Sequence, residues 1–271
     1  MSLEIKHLHV SIGGNEKKAI LRDVSLHVGD GERVGLVGAS GSGKSMLAMS
    51  VMGLLPRSVR ASGSALLDGA GLIGGTAKGL ADVRGRSVGF VFQDPLATLN
   101  PVVSVGRQIE LPLRRHYALS AADRRERVAV MMRKVGLEES LTTAYPHELS
   151  GGQAQRVAIA CALITSPRLI IADEPTTALD AMTQLQIVKL LVSLVDGSGA
   201  SLLFITHDFS VLARVAQRSY VLSDGMIAEE GETRQLLGHP ASGAGARLVT
   251  AAKKLTFAAR QAREPETSGE E

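Results

Sequence analysis

Sulfur and aromatic rings are scarce in this chain. Its 271 residues contain one cysteine, Cys161, no tryptophan, three tyrosines and five phenylalanines. A lone thiol excludes a disulfide framework and a thiolate metal cluster, and it fits a reducing compartment. Long hydrophobic runs are also missing. None approaches the ~18–20 apolar residues needed to cross a bilayer. The first ten residues, MSLEIKHLHV, carry charges and no continuous apolar stretch, so no signal peptide is expected. Nor does charge of one sign dominate. A net charge of +3 is mild, and no dense basic stripe of the kind that binds nucleic acid is present.

What remains is a chain able to bury a core: 45% of residues are apolar and 21% charged. That composition excludes disorder and leaves Val, Ile, Leu and Ala to fill the interior. The length suits one large α/β domain or two small ones. Short β-branched runs at 33–38, 87–92, 168–173, 201–206 and 218–224 read as strands. Several are apolar throughout, as in a parallel sheet covered on both faces. Helix-like patterns lie at 44–54, 121–135, 152–165, 181–195 and 209–216. Such alternation predicts an α/β architecture. The glycine-rich strand-like pieces in 1–32 and 60–90 suggest a smaller, mainly antiparallel sheet at one edge. Residues 100–150 are charged and helical. There Val128, Met131, Met132 and Val135 recur at helical spacing opposite an arginine run, which reads as a solvated face before it reads as a phosphate site. From about 240 the chain looks weakly structured.

The chemistry concentrates in a few stretches. GLVGASGSGKSML follows a predicted strand, opens a predicted helix and matches the phosphate-loop pattern. Its glycines let the backbone wrap an anion with N–H groups and a helix N-terminus. The binding residues expected are Gly38, Ala39, Ser40, Gly41, Ser42, Gly43, Lys44 and Ser45. Lys44 meets the β/γ-phosphates and Ser45 offers a hydroxyl to Mg²⁺. In RLIIADEPTTALD a buried strand ends in two acids. They would be costly there without a cation or a reaction. Asp173 is assigned to the metal and Glu174 to the general base that activates water. His207 follows another apolar strand; alone it would more often be structural, but beside two phosphate-site strands it is expected to sense the γ-phosphate. In ELSGGQAQRVAIACALI, Ser150 can cap a helix that begins with Gly151 and Gly152. Either this is a bare cap or it binds the nucleotide of another copy. Two glycines penalise the helix they begin, which a bare cap seldom needs.

The set GASGSGKS, a post-strand Gln93, LSGGQ, LIIADEPTTALD and THD resembles the nucleotide-binding subunit of ATP-binding cassette (ABC) transporters. The resemblance implies a P-loop NTPase fold: an α/β RecA-like core, an edge antiparallel β-subdomain and an inserted helical subdomain at about 94–157. It covers roughly residues 3–240 and implies an ATPase domain over 1–240, with 241–271 as a weakly structured C-terminal tail. It also implies ATP and Mg²⁺ as ligands and a head-to-tail dimer with a second ATPase subunit, in which Ser150, Gly151, Gly152 and Gln153 face the partner's phosphate loop. His207 then becomes the switch histidine, Gln93 the glutamine that senses Mg²⁺ and the membrane subunit, and Asp180 a dimer contact.

FQDPLATLNP, VMGLLP and His239-Pro240 resemble the importers of dipeptides, oligopeptides and nickel. Such importers pair two non-identical ATPases on two membrane-spanning permease subunits at the cytoplasmic face of the cell membrane, fed by a solute-binding protein. Leu96 and Leu99, held by Pro95 and Pro101, would form the platform for a permease helix. Three departures stand out. Ile12 occupies the place of the usual adenine-stacking aromatic, the cysteines of the common iron–sulfur extension are missing, and ASGAG follows His239-Pro240 in place of the usual YT. Rival readings stay open, the first of them a soluble non-transport ABC ATPase. A soluble ABC ATPase acting on nucleic acid or ribosomes would show tandem cassettes or a long heptad insertion. A P-loop kinase or GTPase would not need LSGGQ, and an export ATPase would more often be fused to membrane helices.

Overall fold

Strands β3 (Arg33–Val37), β6 (Val88–Val91), β7 (Leu169–Asp173), β8 (Ser201–Thr206), β9 (Arg218–Ser223) and β10 (Met226–Glu232) form one six-stranded sheet in the order β10-β9-β3-β8-β7-β6. All neighbours pair in parallel except β10, which returns antiparallel to β9. The computed structural model describes residues 3–177 and 179–261, with side chains through Ala252. A second, antiparallel sheet carries β1 (Leu3–Ile12), β2 (Ala19–Val28), β4 (Val59–Leu67) and β5 (Ala70–Gly71) in the order β2-β1-β4-β5.

The continuous apolar runs have a direct cause: successive side chains of a strand point to opposite faces, and both faces are covered. On β8, Leu202 and Phe204 enter one core, while Leu203 and Ile205 enter the other. β7 divides likewise, Ile170 and Ala172 against Leu169 and Ile171. The first core is closed by helices α4 (Val105–His116), α5 (Ala121–Lys134), α6 (Gly151–Leu163), α7 (Ala181–Ser198) and α8 (Phe209–Val215). The second is closed by the small sheet and α1 (Lys44–Met52). Two short helices, α2 (Ala77–Val83) and α3 (Pro95–Thr98), flank β6 in sequence. Each expected strand and helix is present, with ends displaced by at most three residues. Among the described residues, no helix is long and apolar enough to cross a membrane.

The amphipathic reading of α5 holds. Val128, Met131, Met132 and Val135 are buried, while Arg124 pairs with Glu110 of α4 and Arg133 with Glu139. The tail differs from expectation. After α9 (Thr233–Gly238), helix α10 runs over Gly243–Gln261, where a weakly structured segment was expected. Glu229 of β10 fixes its start by accepting hydrogen bonds from the Ala241 N–H at 2.6 Å and the Ser242 N–H at 2.9 Å. Val249 then seals into the core beside Leu248 and Ala252. Residues 262–271 lie outside the described residues.

The loop QDPLATLNP also needs correction. Asp94 caps α3, its Oδ1 accepting from the N–H groups of Leu96 and Ala97, and Pro95 supplies the first helical residue. Beyond α3, Gln108 of α4 bonds both the N–H and the C=O of Asn100, so a side-chain clamp as well as the prolines stiffens the segment. Leu96 stands 48% exposed, but Leu99 is only 7% exposed and belongs to the first core. The extended backbone at Leu99 turns its side chain inward. The exposed apolar partner of Leu96 in this loop is Val102, at 78%. Leu99→Asp is therefore expected to destabilise the fold by about 3 kcal/mol or more, since it buries an unpaired carboxylate. Leu96→Asp should stay within about 0.5 kcal/mol of the parent. Thermal unfolding of the two variants, run side by side, checks both values.

Candidate functional site

β3 is buried on both faces and delivers the chain into the loop 38–43, after which α1 starts at Lys44. Gly43 has φ 106°, a conformation that L side chains rarely adopt, and a Cβ there would run into Leu21 of β2. At Gly38 a Cβ would strike the carbonyl of Leu222 on β9. The loop is thus gripped between β2 and β9, and only glycine fits at the two grips. The first N–H groups of α1 lack intrahelical acceptors, as at any helix start, and suit an anion.

Lys44 carries the positive charge of the site, and its side chain is only 5% exposed. Its Nζ donates to the carbonyls of Gly38 at 2.9 Å and Ala39 at 3.0 Å. Burial pushes its pKa down, while the charges of Glu174 and Asp173 oppose that shift. An ammonium held against two loop carbonyls is poised to exchange them for phosphate oxygens.

β7 supplies the acids. Asp173 ends the strand 5% exposed, and its Oδ1 has no hydrogen-bond partner among the described residues. Burial raises its pKa, and the Ser45 hydroxyl acts in the opposite direction. The next residue, Glu174, has φ 46°, a left-handed conformation that costs a non-glycine residue about 1–2 kcal/mol. Its N–H bonds to the Ile205 carbonyl of β8 at 2.9 Å, which holds that turn of backbone against the neighbouring strand. The carboxylate faces three groups. Oε1 lies 3.7 Å from Lys44 Nζ; Oε2 accepts from Thr177 Oγ1 at 3.0 Å and lies 3.2 Å from His207 Nδ1. His207 reaches it because Thr206, the last residue of β8, accepts the Asp208 N–H and turns the chain there.

A cleft of about 230 Å³ opens over the loop, lined by Ser40, Gly41, Gly43, Lys44, Ser45, Gln93 and Glu174, with Ile20 and Met46 as its apolar walls. The sequence-predicted residues of the phosphate loop, the two acids, Gln93 and His207 therefore meet at the carboxyl ends of β3, β6, β7 and β8. The donors fit the ligands expected there. Ser45, Asp173 and Gln93 offer hard oxygens of the kind Mg²⁺ takes, and Asp173 Oδ1 is a buried acceptor in need of a partner.

Ser150, Gly151, Gly152 and Gln153 do not join this cleft. They start α6, where Ser150 and Gln153 form a reciprocal cap: the Gln153 N–H bonds Ser150 Oγ at 3.3 Å and the Ser150 N–H bonds Gln153 Oε1 at 2.8 Å. A Cβ on Gly152 would come within 2.9 Å of Thr183 on α7, so that glycine serves close packing inside this chain. Gly151 is exposed and has no such neighbour. Asp180 caps α7, its Oδ1 accepting from the N–H groups of Met182 and Thr183. Ile12 is 44% exposed at the end of β1 and does not line the cleft, whereas Ile20 of β2 does.

Sequence reasoning missed Ile20, Met46 and Thr177. The first two carry no signal beyond being apolar. Thr177 stands three residues after Glu174, a spacing at which a turn hydroxyl reaches back, and that spacing was a usable sign.

The family model described as "ABC transporter" matches residues 21–177. A Sinorhizobium fredii protein described as a probable peptide ABC transporter ATP-binding protein is 40% identical over 243 residues, 88% of this chain and 72% of its own length. A Brucella ovis protein described as a putative peptide import ATP-binding protein is 42% identical over 248 residues, covering 88% of this chain and 73% of its own. The oligopeptide transport ATP-binding protein of Bacillus subtilis is 41% identical over 244 residues, 88% of this chain and 68% of its own. Among solved structures, a dimeric ATP-binding cassette in a post-hydrolysis state with ADP and phosphate superposes with a TM-score of 0.76 at 33% identity, over 86% of this chain and 99% of that one. With its phosphate loop, paired acids and LSGGQ helix placed as above, the chain belongs to the ABC transporter family, as one of its ATP-binding, ATP-hydrolysing subunits.

Proposed function

We propose that this chain hydrolyses ATP to drive an importer of peptides, working as half of a head-to-tail ATPase dimer on the cytoplasmic face of the membrane. The observation that carries the chemistry is the meeting of Lys44 and Glu174 at one cleft, with a buried, unpartnered acceptor on the adjacent Asp173. Support for peptides, rather than the nickel also suggested by the motif resemblance, comes from the relatives' names. Nothing in the fold favours a nucleic-acid or ribosome role.

In this reading the loop N–H groups and Lys44 bind the phosphates, Lys44 giving up its bonds to Gly38 and Ala39. Ser45, Asp173 and Gln93 would hold Mg²⁺, which would offset the negative charge of the phosphates. Glu174 takes a proton from the attacking water as the new P–O bond forms and the bond to ADP breaks. His207, 3.2 Å from Glu174 Oε2, orients that base and serves as the switch residue that senses the γ-phosphate. Ser150, Gly151, Gly152 and Gln153 lie outside the chain's own cleft and serve the ATP bound by a partner, which makes closure of the dimer a condition of turnover. The dimer seen in structural neighbours supports this arrangement. The partner would be a non-identical ATPase, with two membrane-spanning permeases above and a solute-binding protein upstream. Leu96 and Val102, exposed on a stiffened loop, supply an apolar contact for a permease helix.

Three outcomes test the reading. Lys44→Ala should weaken ATP binding roughly 100-fold or more by titration calorimetry, the loss of charge-assisted bonds to phosphate; unchanged affinity would remove the loop from the site. Glu174→Gln should keep ATP binding, lower phosphate release by about 100-fold or more, and accumulate an ATP-bound dimer on size exclusion. Normal turnover in that variant contradicts the base assignment. Leu96→Asp should retain basal hydrolysis while transport in the assembled system falls to background; persistent transport would place the permease contact elsewhere.

A further inference from the structure

We propose that Thr177 is a positioning residue for catalysis, its hydroxyl fixing the carboxylate of Glu174 in the orientation from which it activates water. The proposal rests on Glu174 being the general base. Glu174 is anchored at its backbone: a positive φ of 46°, its N–H on Ile205, and a turn in which the Thr177 N–H returns to the Glu174 carbonyl at 3.4 Å. Its side chain still has three rotatable bonds, so the anchored backbone alone leaves the carboxylate free to sweep. Thr177 Oγ1 donates to Oε2 at 3.0 Å and removes that freedom.

The division of labour between the two oxygens sets the geometry. Oε2 is shared by Thr177 and His207, while Oε1 is turned toward Lys44 at 3.7 Å and hence toward the phosphate side of the cleft. A hydroxyl suits this post. It donates one hydrogen bond and adds no charge, so it orients the carboxylate without the pairing that a lysine or arginine would impose. Thr177 is itself exposed, so removing its hydroxyl leaves both cores untouched. The same turn carries Thr176, which is buried and accepts from Gln184 of α7, so the two threonines have separate tasks: Thr176 ties the turn to α7 and Thr177 holds the base.

The test compares Thr177→Val, which keeps the shape and loses the hydroxyl, with Thr177→Ser, which keeps the hydroxyl, in steady-state ATP hydrolysis by the full chain. The expected result is a kcat roughly tenfold or more lower for Thr177→Val at unchanged KM and unchanged ATP affinity, with Thr177→Ser within about twofold of the parent. In a Glu174→Gln background, Thr177→Val should cause no further loss, because the two act as a unit. Full turnover in Thr177→Val, or equal impairment of the Val and Ser variants, overturns the proposal while leaving Glu174 in place. Undiminished turnover in Glu174→Gln alone overturns the base assignment, and the positioning role with it.

Discussion

Lys44, Asp173 and Glu174 bring an ammonium and two carboxylates to the same end of β3 and β7, where the sheet is covered on both faces. Charges removed from water cost several kcal/mol each unless they are paired or bonded. The structure meets that cost only in part. Lys44 leans on two loop carbonyls, Glu174 on Lys44, Thr177 and His207, and one oxygen of Asp173 has nothing. The pKa values of Lys44 and Asp173 are displaced as desolvation demands, that of Lys44 down and that of Asp173 up. A polyanion with its divalent cation would supply the missing partners on both signs at once. The glycines gripped by β2 and β9, and the left-handed turn at Glu174, keep the three groups within reach of one another.

Where a residue's role follows from what is chemically required, it could be read from the sequence. The phosphate loop needs glycines, a lysine and a hydroxyl at set spacing, so Gly38 to Ser45 were legible. Asp173 and Glu174 were legible because two acids ending an apolar strand are otherwise hard to explain. The strands were legible because burial on both faces leaves continuous runs such as LLFI in β8. Leu99 was not. Leu96 and Leu99 look alike in a loop between prolines, and only the exit angle of the chain after α3 sends one to solvent and the other into the core. Helix α10 escaped for a similar reason. Its start depends on Glu229, more than ten residues earlier and on another element, and the glycines of ASGAG read locally as a break. Ile20 belongs to the site through tertiary geometry, which no local pattern encodes, whereas Thr177 could have been found from its spacing of three to Glu174.

The LSGGQ stretch gains the most from the structure, because its two glycines have different explanations. Gly152 lies so close to Thr183 that any side chain would push α6 off α7; its cause is internal packing. Gly151 sits exposed at the first position of α6 with open space on all but one side, and the cap of Ser150 and Gln153 is complete without it. Glycine in a helix costs about 1 kcal/mol relative to alanine, though less at its first turn, and here nothing among the described residues repays that cost. A bare backbone at a helix start is useful where another group must approach closely. Within this chain that group is not the phosphate loop, whose cleft these residues do not line. In the proposed head-to-tail pair the close approach would come from outside the chain, where a phosphate carried on the loop of a second subunit has the charge that a helix N-terminus receives. One incomplete cleft and one unused helix start on the same molecule are what a head-to-tail pair would bring together, two sites completed by a single closure.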